Sequence, residues 1–265
     1  MAEISVLICT LNDRIMQVPR VLLPEREAVH YVVSFQYTND IFLDMVPDEL
    51  RQRRDVTLLS LTESGLCLNR NNALRACPTP YAVISDDDTH YTSAMLDEIT
   101  ETFSNDDELD IIVFGDNRLA FRITQHTPQF DTRFGLGSEY LSCGEEEVML
   151  HQARTYGMKV LRREFNDYRN PRSPWDQMAF DKRVRRSWGA LQYMQHSSAG
   201  ALFRVVSKSL TLHLPNDKTR PIATRWQCFR DIFDGFRYIV AHPLNGAVAE
   251  DIPLDFQPID IWRMP

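Results

Sequence analysis

Residues 81–91 read YAVISDDDTHY. An apolar run from Tyr81 to Ile84, of strand length, leads into three consecutive carboxylates, Asp86, Asp87 and Asp88. Like charges this close repel, so the arrangement disfavours folding unless solvent, an arginine or a metal compensates it. Similar uninterrupted apolar runs lie at residues 4–9, 29–35 and 110–114. Runs without polar alternation fit strands buried on both faces, as in parallel sheets. Helix-like stretches separate them. One lies around residues 69–76. Another spans 93–103, with Ser93 as the expected cap and Met95, Leu96, Ile99 and Phe103 as an apolar stripe. The alternation predicts an α/β doubly wound sheet, in which ligands bind at the carboxyl ends of strands. Three motifs fall at such ends: CTLNDR (residues 9–14), VSFQYTND (33–40) and ISDDDTHY (84–91).

Further along, residues 145–156 read as a helix closed by Gly157, since glycine takes the left-handed conformation cheaply. Residues 159–161 read as another strand. Residues 162–186 are rich in arginine and lysine and suggest a loop followed by a helix. Residues 223–240 form a C-terminal amphipathic pattern, with Trp226, Phe229, Ile232, Phe233 and Phe236 at helical spacing. The proline-punctuated residues 243–265 are expected to wrap the surface.

The chain has 265 residues, 43% hydrophobic and 25% charged, which provides for a sizeable core. No run approaches the roughly 18 apolar residues that a membrane span needs. The opening MAEISVLICTLN has neither a basic start nor a small-residue cleavage site, so it reads as the first buried strand and not as a signal peptide. Five cysteines are scattered with no CxxC pair, which points to reduced thiols and a cytoplasmic protein. A formal net charge of −8 argues against general nucleic-acid binding.

Each charged motif has a chemical and a structural reading. Hard divalent cations such as Mg²⁺ and Mn²⁺ take oxygen ligands, and one or two carboxylates with substrate phosphates suffice, so Asp86 and Asp88 suit such a site. The alternative is a solvated acidic turn with Asp88 capping the next helix. In SGLCLNRNNAL (residues 64–74), Arg70 precedes Asn71 and Asn72 at an expected helix start, where anionic oxygens are favoured; surface capping is the alternative. In FDTRFGLGSEYLSCGEEEVML (residues 130–150), Glu145, Glu146 and Glu147 open a helix. Glutamates there suit the helix dipole, or one of them is a general base. The basic stretch at 162–186 fits a diphosphate, an anionic acceptor, a membrane surface or simply a solvated helix face.

The order of these motifs resembles the family 2 glycosyltransferases of the GT-A fold, the inverting enzymes common in bacterial surface-polysaccharide synthesis. Those show a TYN-like start, a G-[LIV]-x-x-[AS]-R-N helix start, a D-x-D after an apolar strand and a late G-[ED]-[DE] helix start. The resemblance covers roughly residues 4–160. It implies a mainly parallel mixed sheet flanked by helices, with a C-terminal helical extension. It divides the chain into a nucleotide-sugar-binding half (residues 1–115), an acceptor-binding and catalytic-base half of the same domain (116–215) and a C-terminal helix and tail (216–265). By the same resemblance Thr10, Leu11, Asn12 and Arg14 line the nucleotide pocket, and Arg70 and Asn71 sit near the nucleotide. Asp86 meets the ribose or sugar, and Asp88 holds Mn²⁺ or Mg²⁺. Asp87, between them, is counted with the donor-binding residues, or simply shapes the turn. Glu146 is the base, with Glu145 beside it.

Two departures stand out. The aspartate pair usual at the end of the second strand is replaced by Ser34, Phe35 and Gln36, so base recognition must differ, through stacking on Phe35 or an amide contact from Gln36. The segment Asn170–Ser173 has asparagine where some members carry a histidine. The implied reaction is transfer from a nucleotide-sugar, UDP-linked by expectation, to a carbohydrate or lipid-linked glycan acceptor, with Arg169 and Arg172 as further clamp candidates. Peripheral contact with the inner membrane face is a family-level expectation. Two other classes share parts of this pattern: another metal-dependent nucleotide-sugar or nucleotidyl enzyme, and a non-catalytic binding protein on the same fold.

Overall fold

The computed structural model describes residues 3–115, 118–164, 174–196, 198–215 and 221–243. Seven strands form one sheet: β1 (Ile4–Leu11), β2 (Val29–Gln36), β3 (Val56–Leu61), β4 (Tyr81–Asp86), β5 (Leu109–Phe114), β6 (Arg118–Arg122) and β7 (Lys159–Arg162). Their spatial order is β3-β2-β1-β4-β6-β5-β7. All neighbours are parallel except β6, which runs antiparallel to both β4 and β5. Chain connection leaves β1 toward β2 on one side, while β4 lies on the other. The sheet therefore has its switch point at the carboxyl ends of β1 and β4, where α/β sheets open a crevice.

Strand parity assigns the two faces. Ile4, Val6 and Ile8 of β1 join Tyr31, Val33 and Phe35 of β2 and the stripe Met95, Leu96, Ile99 and Phe103 in one core layer. That stripe lies on α3 (Ser93–Ser104), whose cap is Thr92, one residue before the expected Ser93: the Thr92 hydroxyl accepts from Met95 N at 3.2 Å. On the other face Leu7, Val32 and Ile84 pack with residues of α2 (Leu66–Arg75) and α4 (Glu145–Thr155). A short α1 (Asp48–Gln52) precedes β3. Residues either side of 115/116 share this one sheet.

The helix containing Arg70 begins at Leu66, three residues before the expected start. Arg70 is thus in the second turn of α2 and not at a helix N-terminus, so the dipole gives it no anion site there. β3 and β6, which no apolar run announced, complete the sheet.

Among the described residues the last three helices are α5 (Lys182–Gln195), α6 (Ser198–Thr211) and α7 (Arg225–Ala241). Arg185 of α5 and Asp231 of α7 form a buried ion pair at 2.7 Å. The helices meet backbone to backbone. A Cβ on Gly189 would lie 1.8 Å from Ile232 O, and one on Gly235 would lie 1.8 Å from Arg186 O. The buried face of α7 is Cys228, Asp231, Ile232, Gly235 and Ile239. Its aromatics Trp226, Phe229, Phe233 and Phe236 run beside that face as a stacked ladder, and Trp226 is 68% exposed. Among the described residues no helix is long and apolar enough to cross a membrane.

A Gly189→Ala or Gly235→Ala substitution must force α5 and α7 apart. Overpacking of this kind costs about 1–3 kcal/mol, and a urea melt of each variant should show a loss of at least that size.

Candidate active site

A cavity of about 500 Å³ opens at the switch point. Its lining comes from the end of β1 (Cys9, Thr10, Leu11), from Arg14, from Gln36 at the end of β2, from Ser64, Gly65, Leu66 and Asn69 around the start of α2, from Asp86, Asp87 and Asp88, and from Leu136 and Gly137. Where the turn before α2 meets the Leu136–Gly137 turn, the wall is a contact of bare backbones. Leu66 N donates to Leu136 O at 2.8 Å. Gly137, at φ 86°, leaves no room for a Cβ, which would sit 3.0 Å from Gly65 Cα.

The three aspartates that end β4 have three different environments. Asp86 accepts from Arg118 at 2.6 Å and from Arg70 at 3.4 Å. Burial pushes its carboxyl up, but the two guanidinium charges outweigh burial and hold it below the usual carboxylate range. Asp87 is 2% exposed; it accepts from Thr10 Oγ1 at 2.8 Å and from the Arg14 fork, Nε at 2.9 Å and Nη2. Asp88 has a side chain 61% exposed, with one oxygen 3.2 Å from Arg14 Nη2. Compensation of the strand-end charge is therefore mainly arginine, in two separate pairings.

Arg70 links this rim to a second acid group. Its guanidinium, 2% exposed in the residue as a whole, contacts Glu146 at 2.8 Å and Glu145 at 3.4 Å as well as Asp86. The Phe130 ring lies 5.2 Å from the guanidinium carbon. The two glutamates open α4 after Gly144, which takes the left-handed conformation at φ 95° and is packed so closely that a Cβ would meet Leu191 Cδ1 at 2.9 Å. Glu145 is buried, and among the described residues its Oε2 has no hydrogen-bond partner. Burial, then the charge of Glu146, pushes its pKa up to about 8 against the pull of Arg70. Glu146 is 22% exposed in its side chain, and Glu147 is drawn the other way, accepting from Trp175 Nε1 at 3.3 Å.

The remaining predicted residues divide. Thr10, Leu11, Arg14, Gln36 and Asp86–Asp88 share the cavity. Asn12 turns aside at φ 53°, its Oδ1 accepting from Thr38 N at 2.9 Å. Phe35 is a correction: it is 1% exposed and packs on Tyr37 in the opposite core layer, so it offers no ring for a base to stack on. Asn71 is another. Its amide pairs with the backbone of Phe130, donating to O at 2.9 Å and accepting from N at 2.7 Å, which is a structural tie and not a nucleotide contact. Among the described residues of the basic stretch, four arginines are paired within the protein, through Arg163–Glu98, Arg183–Asp181, Arg185–Asp231 and Arg186–Asp234. Arg169, Arg172 and the Asn170–Ser173 segment lie outside the described residues.

Sequence reading missed Cys9, Ser64, Gly65, Leu66, Asn69, Leu136 and Gly137. The available signal was the pair of glycine turns, SG before α2 and GLG before α4, which only a tertiary contact brings together. Cys9 is no nucleophile: burial foremost pushes its thiol up to about 12. Among the described residues no three or more His, Cys, Asp or Glu gather to hold a metal by themselves.

No family model and no curated protein matches the chain. Solved structures do. Residues 1–349 of S. aureus TarS align at TM-score 0.53 with 13% identity, covering 91% of this chain and 82% of that one. The same protein in complex with UDP gives 0.53 with 15% identity over 80% and 76%. A longer TarS structure gives 0.52 at 15% identity, and there the match spans 80% of this chain and 46% of that one. The mannosyltransferase PcManGT from Pyrobaculum calidifontis, in complex with GDP-Man and Mn²⁺, gives 0.52 with 13% identity over 90% and 75%. At such identities the likeness defines the fold: a mixed α/β sheet of the GT-A glycosyltransferase type with a C-terminal helical segment.

Two results are expected from the acid cluster. Arg70→Met removes the cation from three carboxylates, and breaking a buried pair of this kind costs about 3–5 kcal/mol, readable by urea denaturation. Glu145 holds its proton in the folded state up to about pH 8 but releases it near 4.5 when unfolded. The unfolded state thus binds fewer protons between those values, and Glu145 makes stability fall as pH rises from 4.5 toward 8. Glu145→Gln should flatten that decline in melts run at pH 5, 6.5 and 8.

Proposed function

We propose that the chain is an inverting glycosyltransferase that moves a sugar from a nucleoside-diphosphate donor to an acceptor hydroxyl. One observation carries the reading: the cavity-rim carboxylate Asp86 and the helix-start carboxylate Glu146 share the guanidinium of the buried Arg70. Asp86 lines a cavity of small-molecule size, and Arg70 ties Glu146 to it, which supports a donor-side group and an acid–base group working together. Support comes from proteins of the same fold, of which TarS has been solved with UDP and PcManGT with GDP-Man and Mn²⁺.

The donor lies in the cavity with its base and ribose among Thr10, Leu11, Gln36 and Asn69. Asp86 faces the ribose or sugar. The donor chemistry at Asp88 fits a divalent cation: a hard oxygen ligand, mostly exposed on the cavity rim, suits Mn²⁺ or Mg²⁺ together with substrate phosphates. When bound, such an ion supplies charge neutralisation for the leaving diphosphate. Asp86 is not offered for that purpose, since Arg70 and Arg118 engage both of its oxygens.

Glu146 acts as the general base. It takes the proton of the acceptor hydroxyl as that oxygen attacks the anomeric carbon from the face opposite the diphosphate. Of the two adjacent glutamates it is the one suited to this, because Glu145 already carries its proton at neutral pH. Arg70 holds Glu146 at the reacting centre, which converts the encounter into a positioned one. The acceptor is a carbohydrate or a lipid-linked glycan.

Glu146→Gln should retain donor binding and lose transfer by roughly 10²–10⁴-fold, measured as sugar transfer from a UDP-sugar panel; undiminished turnover removes Glu146 as base. Asp88→Ala should abolish the Mn²⁺ requirement together with transfer. Release of UDP with a new glycoside distinguishes this reaction from a nucleotidyl transfer, which releases pyrophosphate.

A further inference from the structure

We infer that Arg14 competes with a divalent cation for Asp88, so that the cation binds well only together with a nucleoside diphosphate. This rests on the nucleotide-sugar reading above and names the residue that makes the two ligands depend on each other.

Arg14 belongs to the 3₁₀ helix Asn12–Arg20 that follows β1, and it lines the cavity. Its side chain is 47% exposed, so it is open to a ligand. One edge of the guanidinium is held by the buried Asp87. Nε donates to both carboxylate oxygens, at 2.9 and 3.0 Å, and Nη2 donates to Oδ1. Thr10 Oγ1 donates to the same carboxylate at 2.8 Å and helps to fix it. The same Nη2 also lies 3.2 Å from Asp88 Oδ2. Asp87 therefore seats Arg14, and the seated Arg14 reaches Asp88. That carboxylate lines the cavity with its side chain 61% exposed, so a cation from solvent reaches it too.

Two cations thus have a claim on one carboxylate. Small divalent ions bond oxygen at about 2 Å, so an ion on Asp88 Oδ2 would stand within roughly 5.5 Å of Arg14 Nη2 unless the guanidinium gave way. Like charges at that separation repel. The neighbouring aspartates offer little relief: Asp86 is paired with Arg70 and Arg118, and Asp87 is 2% exposed and already occupied by Arg14 and Thr10. A diphosphate in the same cavity changes this balance. Its anionic oxygens give a metal ion further ligands and give the guanidinium an alternative to Asp88. Arg14 therefore opposes the cation on its own and ceases to oppose it beside the nucleotide. That is a coupling between two ligands, and by linkage the cation must strengthen nucleotide binding by the same factor.

The test is calorimetric titration of the full chain with Mn²⁺, alone and in the presence of UDP or GDP. The binding that counts is the part lost in Asp88→Ala. In the unaltered chain one of the nucleotides should tighten Mn²⁺ binding by at least about fivefold. The variant to compare combines Arg14→Met with Asp87→Asn, which removes the guanidinium without leaving a buried charge unpaired and keeps the net charge. Checked for an intact fold by circular dichroism, it should bind Mn²⁺ alone about two- to fivefold more tightly, the size of an exposed ion pair. The effect of the nucleotide should shrink by a similar factor. A folded variant with the Mn²⁺ affinity and the coupling of the unaltered chain overturns the inference while leaving the glycosyltransferase reading in place. An unaltered chain that binds UDP or GDP but whose Mn²⁺ affinity neither nucleotide raises also overturns it alone. Binding of neither Mn²⁺ nor either nucleotide overturns both.

Discussion

One buried cation organises the functional half of this protein. Arg70 reaches Asp86 from β4 and Glu145 and Glu146 from α4, and it is almost wholly removed from water. A guanidinium in such a place cannot shed its proton, so the fold must supply carboxylates around it. It supplies three, which is one reason a neighbouring carboxyl remains protonated. Arg70 draws both Asp86 and Glu145 downward from the same distance, 3.4 Å, yet the two end shifted in opposite directions. Arg118 gives Asp86 a second cation, while Glu145 has burial and Glu146 against it. Two carboxyl groups in one cluster thus hold different protonation states at one pH, a condition under which acid–base roles separate.

Much of the fold was legible because buried parallel strands leave uninterrupted apolar runs. β1, β2, β4 and β5 were each announced that way, and their observed limits exceed the apolar runs by only one or two residues. β3 and β6 were not. β3 is an edge strand with mostly half-buried residues, and β6 is five residues flanked by arginines, so neither leaves a long apolar run. At the site, the aspartates were readable because three like charges after a core strand demand an explanation. Phe35 and Gln36 show what parity adds. Adjacent strand residues face opposite layers, so of the two only one can meet the cavity, and Ser34 and Gln36 share the face of α2, where Asn72 donates to Ser34 Oγ. Asn71 and Asn69 sit two residues apart on one helix, and no local pattern says that one is tied to the backbone of Phe130 and the other to Thr10 O. That depends on where Thr10 O and the Phe130 backbone fall, which is tertiary.

The acid cluster is also braced from behind. Gly144, at the start of α4, packs directly on Leu191 of α5, and α5 is bound to α7 through Arg185–Asp231. The C-terminal helices are in this sense part of the mounting for Glu145 and Glu146. A buried ion pair is weak as a source of stability, but removal of either partner leaves an uncompensated charge, so it fixes the register of the two helices.

The glycine contact between α5 and α7 has a consequence for how the protein can vary. Where two helices touch through side chains, their separation can drift as residues are exchanged for larger or smaller ones. Here the separation is set by main-chain atoms at Gly189 and Gly235, with no side chain between to act as a spacer. The crossing point is therefore a fixed pivot. Change in this region is confined to what lies on either side of it: the angle can be tuned by residues farther along each helix, but the closest approach cannot.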